Sequence, residues 1–379
     1  MSSKYIIPEG TRDLIPEECF SKKKLQNEIE KIFDKWGYNE IVTPTIEFYQ
    51  TFNSGFQNLK EEEVYKFFDT KGRILVLRPD MTIPIARVVA TKFKDVNPPI
   101  RFRYCASVFR MHADLGGKRN EYTDCGVELV GLESEKSDLE ILVTALDTLE
   151  VIKNTEYKLE IGDINFFNSA IKDLNISEEQ KSELAALVDK KSLKSLENYL
   201  DNLNIDEKYR EFFIELPWLF GGKEAIEKAK KFAFNDEAKR SIEKIEKLSV
   251  ELSSLGYDNQ IIFDFGMVPR LNYYTGLMFR GFIEGAGATV LSGGRYDKLI
   301  STFGRDIPAV GFSANIDTMW ETLEIKNKID KKKIIINYGN NKTLEAIKAS
   351  KELRNEGNIV ELIPVEDKDK LDIIKDVNL

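Results

Sequence analysis

Apolar and polar positions alternate over RFRYCASVFR (101–110), with Phe102, Tyr104, Ala106 and Val108 on one side. They do the same over YTDCGVELVG (122–131). A period of two predicts two β-strands, and the polar stretch MHADLGGKRNE between them predicts an antiparallel hairpin. Upstream, Phe20, Leu25, Ile29, Ile32 and Phe33 recur near helical spacing. They predict a helix opened by Pro16-Glu17-Glu18 and ended by Gly37. A strand over 38–43 is stopped by Pro44. Residues 74–77 predict a buried strand that runs into the polar cluster Arg78-Pro79-Asp80-Met81-Thr82, then a helix over 83–94. A further helix is expected over 137–153, where Leu139, Leu142, Val143, Leu146 and Leu149 share a face. A strand over 157–161 and a helix over 165–174 follow.

From 177 to 255 the pattern is helical and charge-rich, which predicts a helical insertion between two halves of one sheet, its Lys and Glu on a solvated face. Beyond it, 260–265 reads as a strand. Residues 277–283 and 288–291 read as paired strands around Glu284-Gly285-Ala286-Gly287. Ser292-Gly293-Gly294-Arg295-Tyr296-Asp297 reads as a tight turn into a short helix, before a strand over 309–312 and a helix over 315–323. A basic linker (326–333) leads to a tail predicted as strand (334–338), helix (343–356), strand (359–363) and short helix. The expected domains are a core over 1–325 and a short α/β tail over 326–379.

Composition narrows the function classes. With 379 residues the chain can bury a large core in two or three domains. No apolar run approaches the roughly 20 residues of a membrane span, and the first residues lack the pattern of a signal peptide. The three cysteines, Cys19, Cys105 and Cys125, are scattered and form no CxxC pair. That argues against a disulfide framework or a zinc site and for a reducing cytoplasm. Lys and Arg number 55 against 64 Asp and Glu, a net charge of −9, which does not favour a large nucleic-acid footprint. The single histidine, His112, rules out a metal site built from several His.

Two places offer chemistry. The hairpin loop carries a Gly-Gly pair and cations suited to an anion, while Asp124 and Glu128, four apart on one strand, share a face and suit a cationic ligand. A surface hairpin with solvated charges fits the same pattern. At the end of strand 74–77, Asp80 or Thr82 serves as a helix cap, as a ligand contact, or as both.

The motifs PEGTRDLIPEE, LRPDMT, VFR…GVELVG, NYYTG and GGRYDKL…FG…PAVGF occur in this order over 5–320. Together they resemble the histidyl-tRNA synthetase catalytic core, a class II aminoacyl-tRNA synthetase fold. The resemblance implies an α+β architecture: an antiparallel sheet flanked by helices, with a helical insertion, dimerising through the first long helix and strand. Two protein types share that core, the synthetase and its paralog, the regulatory subunit of ATP phosphoribosyltransferase, which does not aminoacylate.

Carried over residue by residue, the resemblance separates them. Arg110 matches the synthetase arginine on the hairpin. The acidic residue two places on is His112 here, and the expected Pro and paired arginines of the loop give way to the residues at 113–120. The arginine that grips ATP falls at Thr318, and the glycine three before it falls at Asn315. The arginine that activates the histidine carboxylate falls at Pro269; Arg270, next door, points the other way in an extended segment. Losing one donor to a developing charge costs about 10²–10³ in rate, and arginine is not readily replaced in that role. The resemblance therefore implies no aminoacyl-adenylate chemistry, no catalytic residue and no cofactor or metal. A tail of about half an anticodon-binding domain argues against tRNA as a partner.

The amino-acid pocket is kept in outline. Asp80 and Thr82 match the Glu and Thr that hold the substrate ammonium, Asp124 stands where a Gln does, and Glu128, Tyr273 and Tyr274 match groups around the imidazole. With Arg110, these are the expected histidine-binding residues. Histidine acting at this pocket and histidine acting at a subunit interface both stay open. The implied role is a non-catalytic regulatory subunit of ATP phosphoribosyltransferase in the first step of histidine biosynthesis. Its partner is a short-form catalytic subunit in a hetero-octamer, with histidine as feedback effector. The rivals are an active histidyl-tRNA synthetase, told apart by ATP–pyrophosphate exchange, and a stand-alone amino-acid sensor, told apart by co-purification with a short catalytic chain.

Overall fold

The structure, a computed structural model, describes residues 6–55, 61–112, 119–133, 135–153, 155–203, 205–268, 273–323, 332–366 and 371–378. Proline at the first position and Glu17 and Glu18 in the first turn open α1 (Pro16–Lys35). After it come β1 (Asn39–Glu40), β2 (Ile46–Phe48), α2 (Tyr49–Gly55), β3 (Lys66–Phe68), β4 (Ile74–Leu77) and α3 (Thr82–Thr91). The hairpin is β5 (Ile100–Phe109) and β6 (Glu121–Val130), followed by α4 (Glu135–Glu150), β7 (Tyr157–Asp163) and α5 (Ile164–Ile171). The insertion holds α6 (Glu178–Asp189), α7 (Leu193–Asp201), α8 (Glu207–Glu215), β8 (Phe220–Gly221), α9 (Lys223–Ala229) and α10 (Asp236–Ser254). Then come β9 (Ile261–Asp264), β10 (Leu277–Ile283), β11 (Leu291–Arg295), β12 (Ala309–Asn315) and α11 (Ile316–Glu321). The tail contributes β13 (Lys332–Tyr338), α12 (Thr343–Asn355), β14 (Ile359–Pro364) and β15 (Asp372–Asn378).

The chain divides into two compact units, residues 1–12 with 24–323 and residues 13–23 with 324–379. In the first, nine strands form one sheet in the order β1-β5-β6-β12-β11-β10-β7-β9-β8. The run from β5 to β7 is antiparallel throughout; β1 joins β5, and β9 joins β7, in parallel. The period-2 pattern of the hairpin decides its faces. Phe102, Tyr104 and Val108 are buried against the layer that includes α3, in a cluster with Ile83, Ile85 and Tyr296. On the opposite face Phe33 of α1 meets Phe312 of β12 edge-on, ring centroids 5.8 Å apart. Burying such rings is worth about 1.5–3 kcal/mol each. In the second unit, β14-β13-β15 form a three-stranded sheet with Ile334, Ile336, Ala346 and Val360 as its buried cluster.

Four expectations change. Cys105 and Cys125 form a disulfide, although spacing argued against one: they are 20 residues apart but directly opposite in the hairpin register, Cα atoms 4.0 Å apart. Glu30 of α1 lies over the two sulfurs. The Ser292–Arg295 part of the expected tight turn is strand β11, hydrogen-bonded on both sides. The Gly pair that suggested a turn is there because a Cβ at Gly293 would lie 2.4 Å from the Gly311 carbonyl oxygen. The insertion also contributes a strand: β8 pairs with β9 at the edge of the main sheet. The expected final short helix is β15, whose Ile373, Ile374 and Val377 are β-branched and suit a strand.

Candidate functional site

Residues of β6, β11 and β12, with the approach to α3, line a cavity of about 210 Å³. All seven expected binding residues, Asp80, Thr82, Arg110, Asp124, Glu128, Tyr273 and Tyr274, line it. They come from four segments far apart in sequence. Asp80 and Thr82 sit at the start of α3, Arg110 just past β5, Asp124 and Glu128 on one face of β6, and the Tyr pair before β10.

Asp80 has the cap role that its sequence position allowed. Oδ1 accepts the Ile83 N–H at 3.1 Å, capping the first turn of α3. Oδ2 is buried and has no partner among the described residues. Thr82 does not cap; its Oγ1 donates to Glu128 Oε1 at 2.9 Å. The other oxygen, Glu128 Oε2, accepts from the Tyr296 hydroxyl. Space for this buried carboxylate is left by Gly311, opposite it on β12, where a Cβ would lie 1.9 Å from Oε2. Tyr273 packs tilted on Tyr274 at 4.7 Å and edge-on to Tyr296 at 5.9 Å, giving the cavity an aromatic wall.

The electrostatics are those of a buried acidic site. Burial pushes Asp80 up to about 6, against the pull of the Ile83 N–H and Arg110. Burial pushes Asp124 up to about 7, opposed by Ser313 and Arg110. Burial pushes Glu128 up to about 8, although Tyr296 and Thr82 favour its charged form. Tyr274 is pushed up to about 12 by burial, and Tyr104, Tyr273 and Tyr296 are raised further. Among the described residues that line the cavity Arg110 is the one cation, and its Nε has no partner among the described residues. Burial works against its charge, but Tyr122, Asp80 and Tyr273 outweigh it, so its proton is held more tightly than usual.

Of the cations in the expected anion cradle, Arg119 is already paired. Arg119 Nη1 donates to Asp317 Oδ1 at 2.8 Å and Nη2 to Glu321, so α11 occupies its charge. Lys118 and the residues at 113–117 lie outside the described residues, as do Pro269, Arg270 and Asn272. At the position of the ATP-gripping arginine, Thr318 donates its backbone N–H to Asn315 Oδ1 at 2.9 Å; Asn315 caps α11 and lines the cavity. Sequence reasoning missed Tyr296, Tyr104 and Tyr122 as lining residues. Tyr296 lies in the quoted GGRYD motif and was there to be found. Tyr104 and Tyr122 become visible only once the hairpin register sets Tyr104 opposite Gly126.

The chain and its fold have known counterparts. A family model described as histidyl-tRNA synthetase matches residues 10–319. A relative from Ruminiclostridium cellulolyticum, called ATP phosphoribosyltransferase regulatory subunit, is 40% identical over 321 residues, which is 85% of this chain and 77% of the relative. The chain belongs to the family of ATP phosphoribosyltransferase regulatory subunits. A second member of that family, from Clostridium botulinum, is 39% identical over 370 residues, 96% of this chain and 87% of its own. A solved structure from Bacillus halodurans, described as an ATP phosphoribosyltransferase regulatory subunit/histidyl-tRNA synthetase, superposes with a TM-score of 0.84 at 32% identity, covering 96% of this chain and 93% of that one. A histidyl-tRNA synthetase from Nostoc superposes with a TM-score of 0.75 at 21% identity, over 97% of this chain and 86% of that one, and shares the fold. The chain is thus a regulatory-subunit family member on a class II synthetase fold, and relatives at 36–41% identity are named as regulatory subunits rather than as synthetases. Among the described residues no helix is long and apolar enough to cross a membrane.

Proposed function

We propose that the chain regulates a short-form ATP phosphoribosyltransferase catalytic subunit in the first step of histidine biosynthesis, and that it reads histidine in the cavity lined by Asp80, Thr82, Arg110, Asp124, Glu128, Tyr273 and Tyr274. The observation that carries this is the charge pattern of the cavity. Asp80 and Arg110 line the same small cavity, and a carboxylate oxygen of the one and a guanidinium nitrogen of the other have no partner among the described residues, as binding the ammonium and carboxylate of one amino acid would require. The tyrosine wall and Glu128 supply the apolar body and polar tip that an imidazole needs.

In this reading histidine favours one arrangement of the complex over another, and a coupling of about 1–3 kcal/mol is enough for feedback. The complex is a hetero-octamer with equal numbers of the two chains, and the regulatory chain dimerises through its N-terminal helix and strand. The cytoplasmic setting follows from the biosynthetic role of the proposed partner; the Cys105–Cys125 bridge would there have to persist against a reducing pool. Isothermal titration of histidine into the full chain, with an Asp80→Ala variant alongside, tests the site. Reconstitution with a short catalytic chain tests the role: phosphoribosyl transfer should appear in the mixture and fall when histidine is added. Synthetase-like ATP–pyrophosphate exchange by the chain alone would overturn the reading.

A further inference from the structure

Behind the cavity lies a second cluster of reactive groups. The Sγ atoms of Cys105 and Cys125 and a carboxylate oxygen of Glu30 all lie within 4.8 Å of one another. They come from β5, β6 and α1, on the face of the sheet opposite Tyr104. Cys125 is fully buried, while Cys105 and Glu30 are half-buried, so the cluster is shielded on one side and reachable from the other.

The match between a helix turn and a strand repeat puts Glu30 there. Arg101, Arg103 and Cys105 follow one another on this face of β5, with two residues spanning about 6.7 Å. Four residues of α1 rise about 6 Å. A carboxylate therefore meets each position in turn. Glu140 of α4 pairs with Arg101 at 2.9 Å, and Asp34 of α1 pairs with Arg103 at 2.6 Å. Glu30, one turn before Asp34, falls over the two sulfurs instead of over a cation.

Two thiols and a carboxylate are donors that zinc-like cations take. Around a tetrahedral ion such donors lie about 3.6–3.8 Å apart, within reach of groups already gathered this closely. Gln26 Nε2 donates to Glu30 Oε1 at 2.9 Å, the kind of hydrogen bond that orients a ligating carboxylate. Arg103 keeps a guanidinium on the same face of β5, and its Nη1 is buried with no partner among the described residues. A cation there favours thiolate over thiol. The sequence shows no CxxC because the hairpin register, not the chain, brings the sulfurs together.

We propose that Cys105, Cys125 and Glu30, once the bridge is reduced, bind one thiophilic divalent cation of the zinc class. The bridge ties β5 to β6; the cation ties both strands to α1. A dithiol reductant supplies the two electrons and two hydrogens: the S–S bond breaks, the reductant closes to its own disulfide, and two thiols are left. On binding, the cation displaces both thiol protons to solvent as two metal–sulfur bonds form. Three protein ligands leave the fourth position to water, as in exchangeable rather than structural sites. Nothing in this depends on what fills the cavity.

The test uses the full chain with Cys19→Ser, which removes the exposed thiol. The protein is reduced with excess dithiol, desalted without oxygen and titrated with Co²⁺. The expected result is one ion per chain, a sulfur-to-cobalt charge-transfer band with the intensity of two thiolates, release of about two protons, and displacement by Zn²⁺. The unreduced chain should show no band. Cys125→Ser should lose the two-thiolate intensity. Glu30→Gln should keep it but bind at least tenfold more weakly, and Gln26→Ala about tenfold more weakly. Circular dichroism checks that each variant folds. No two-thiolate band in the reduced, folded chain, an equal band in Cys125→Ser, or unchanged affinity in Glu30→Gln overturns the site.

Discussion

Thr82 Oγ1 donates to Glu128 Oε1 across 2.9 Å, tying the first residue of α3 to the middle of β6. The hydroxyl is one of two donors that make a buried carboxylate tolerable. Thr82→Val keeps the shape and removes the donor. It should cost about 1–3 kcal/mol of stability by denaturant unfolding, since a buried acceptor is left unpaired. Glu128 should rise further above its ordinary value, which a carboxyl-resolved NMR titration would show.

Gly311 faces that same carboxylate. With a Cβ 1.9 Å from Glu128 Oε2, Gly311→Ala should force Glu128 or β12 aside. A loss of about 1–3 kcal/mol is expected from overpacking, with histidine binding weakened more than tenfold in the same preparation. Unchanged affinity would mean that Glu128 does not help form the site.

Arg295 is held in the interior by Asp138 at 2.9 Å through Nε, by Ser137 Oγ at 2.7 Å and by the Leu132 carbonyl at 3.0 Å. Arg295→Met strands Asp138, although Lys244 of the insertion stays 2.9 Å from it. Removing one member of a buried ion pair costs about 3–5 kcal/mol, and the remaining lysine should hold the loss to the lower end of that range. The midpoint of urea unfolding measures it.

Asp80, Asp124 and Glu128 bind protons more tightly in the folded chain than in the unfolded one. Between the unfolded carboxyl values, about 4, and the folded values of about 6 to 8, the native state holds more protons, so this site makes stability fall as pH rises. Below that window the contribution vanishes, and above it the penalty is complete. The ligand-free chain should therefore lose stability from pH 5 to 8, and Asp124→Asn with Glu128→Gln should flatten the slope.

Cys19 is the one cysteine outside the disulfide. A thiol reagent should titrate one cysteine in the folded, unreduced chain and three after reduction and unfolding. The bridge closes a loop of 20 residues, which corresponds to about 3 kcal/mol of unfolded-state constraint. The Cys105→Ser, Cys125→Ser double variant should be less stable by that order.

Periodicity was enough to find the hairpin and α1, because their burial alternates as a half-buried strand and a one-faced helix require. It was not enough for β11, where glycines fill a strand interior for steric reasons and local pattern reads them as a turn. The seven cavity-lining residues expected to bind were legible as types at motif positions, through resemblance. Their convergence was not, because it depends on the register that sets Gly311 against Glu128 and Tyr104 against Gly126. The same missing register hid the disulfide, since Cys105 and Cys125 are neighbours only after the hairpin closes.

The carboxylate of Glu128 is where segments from four parts of the chain meet: Thr82, β6, Gly311 and Tyr296. No fragment of the chain contains the whole arrangement, so whatever fills the cavity binds only the folded form. Occupancy and survival of the protein are then one variable. A ligand at a hundred times its dissociation constant adds about 2.7 kcal/mol to the folded state, roughly a hundredfold fewer unfolded chains for proteases to find. A regulatory chain that senses its effector here would also be made longer-lived by it, and scarcity of the effector would show first as turnover of the sensor.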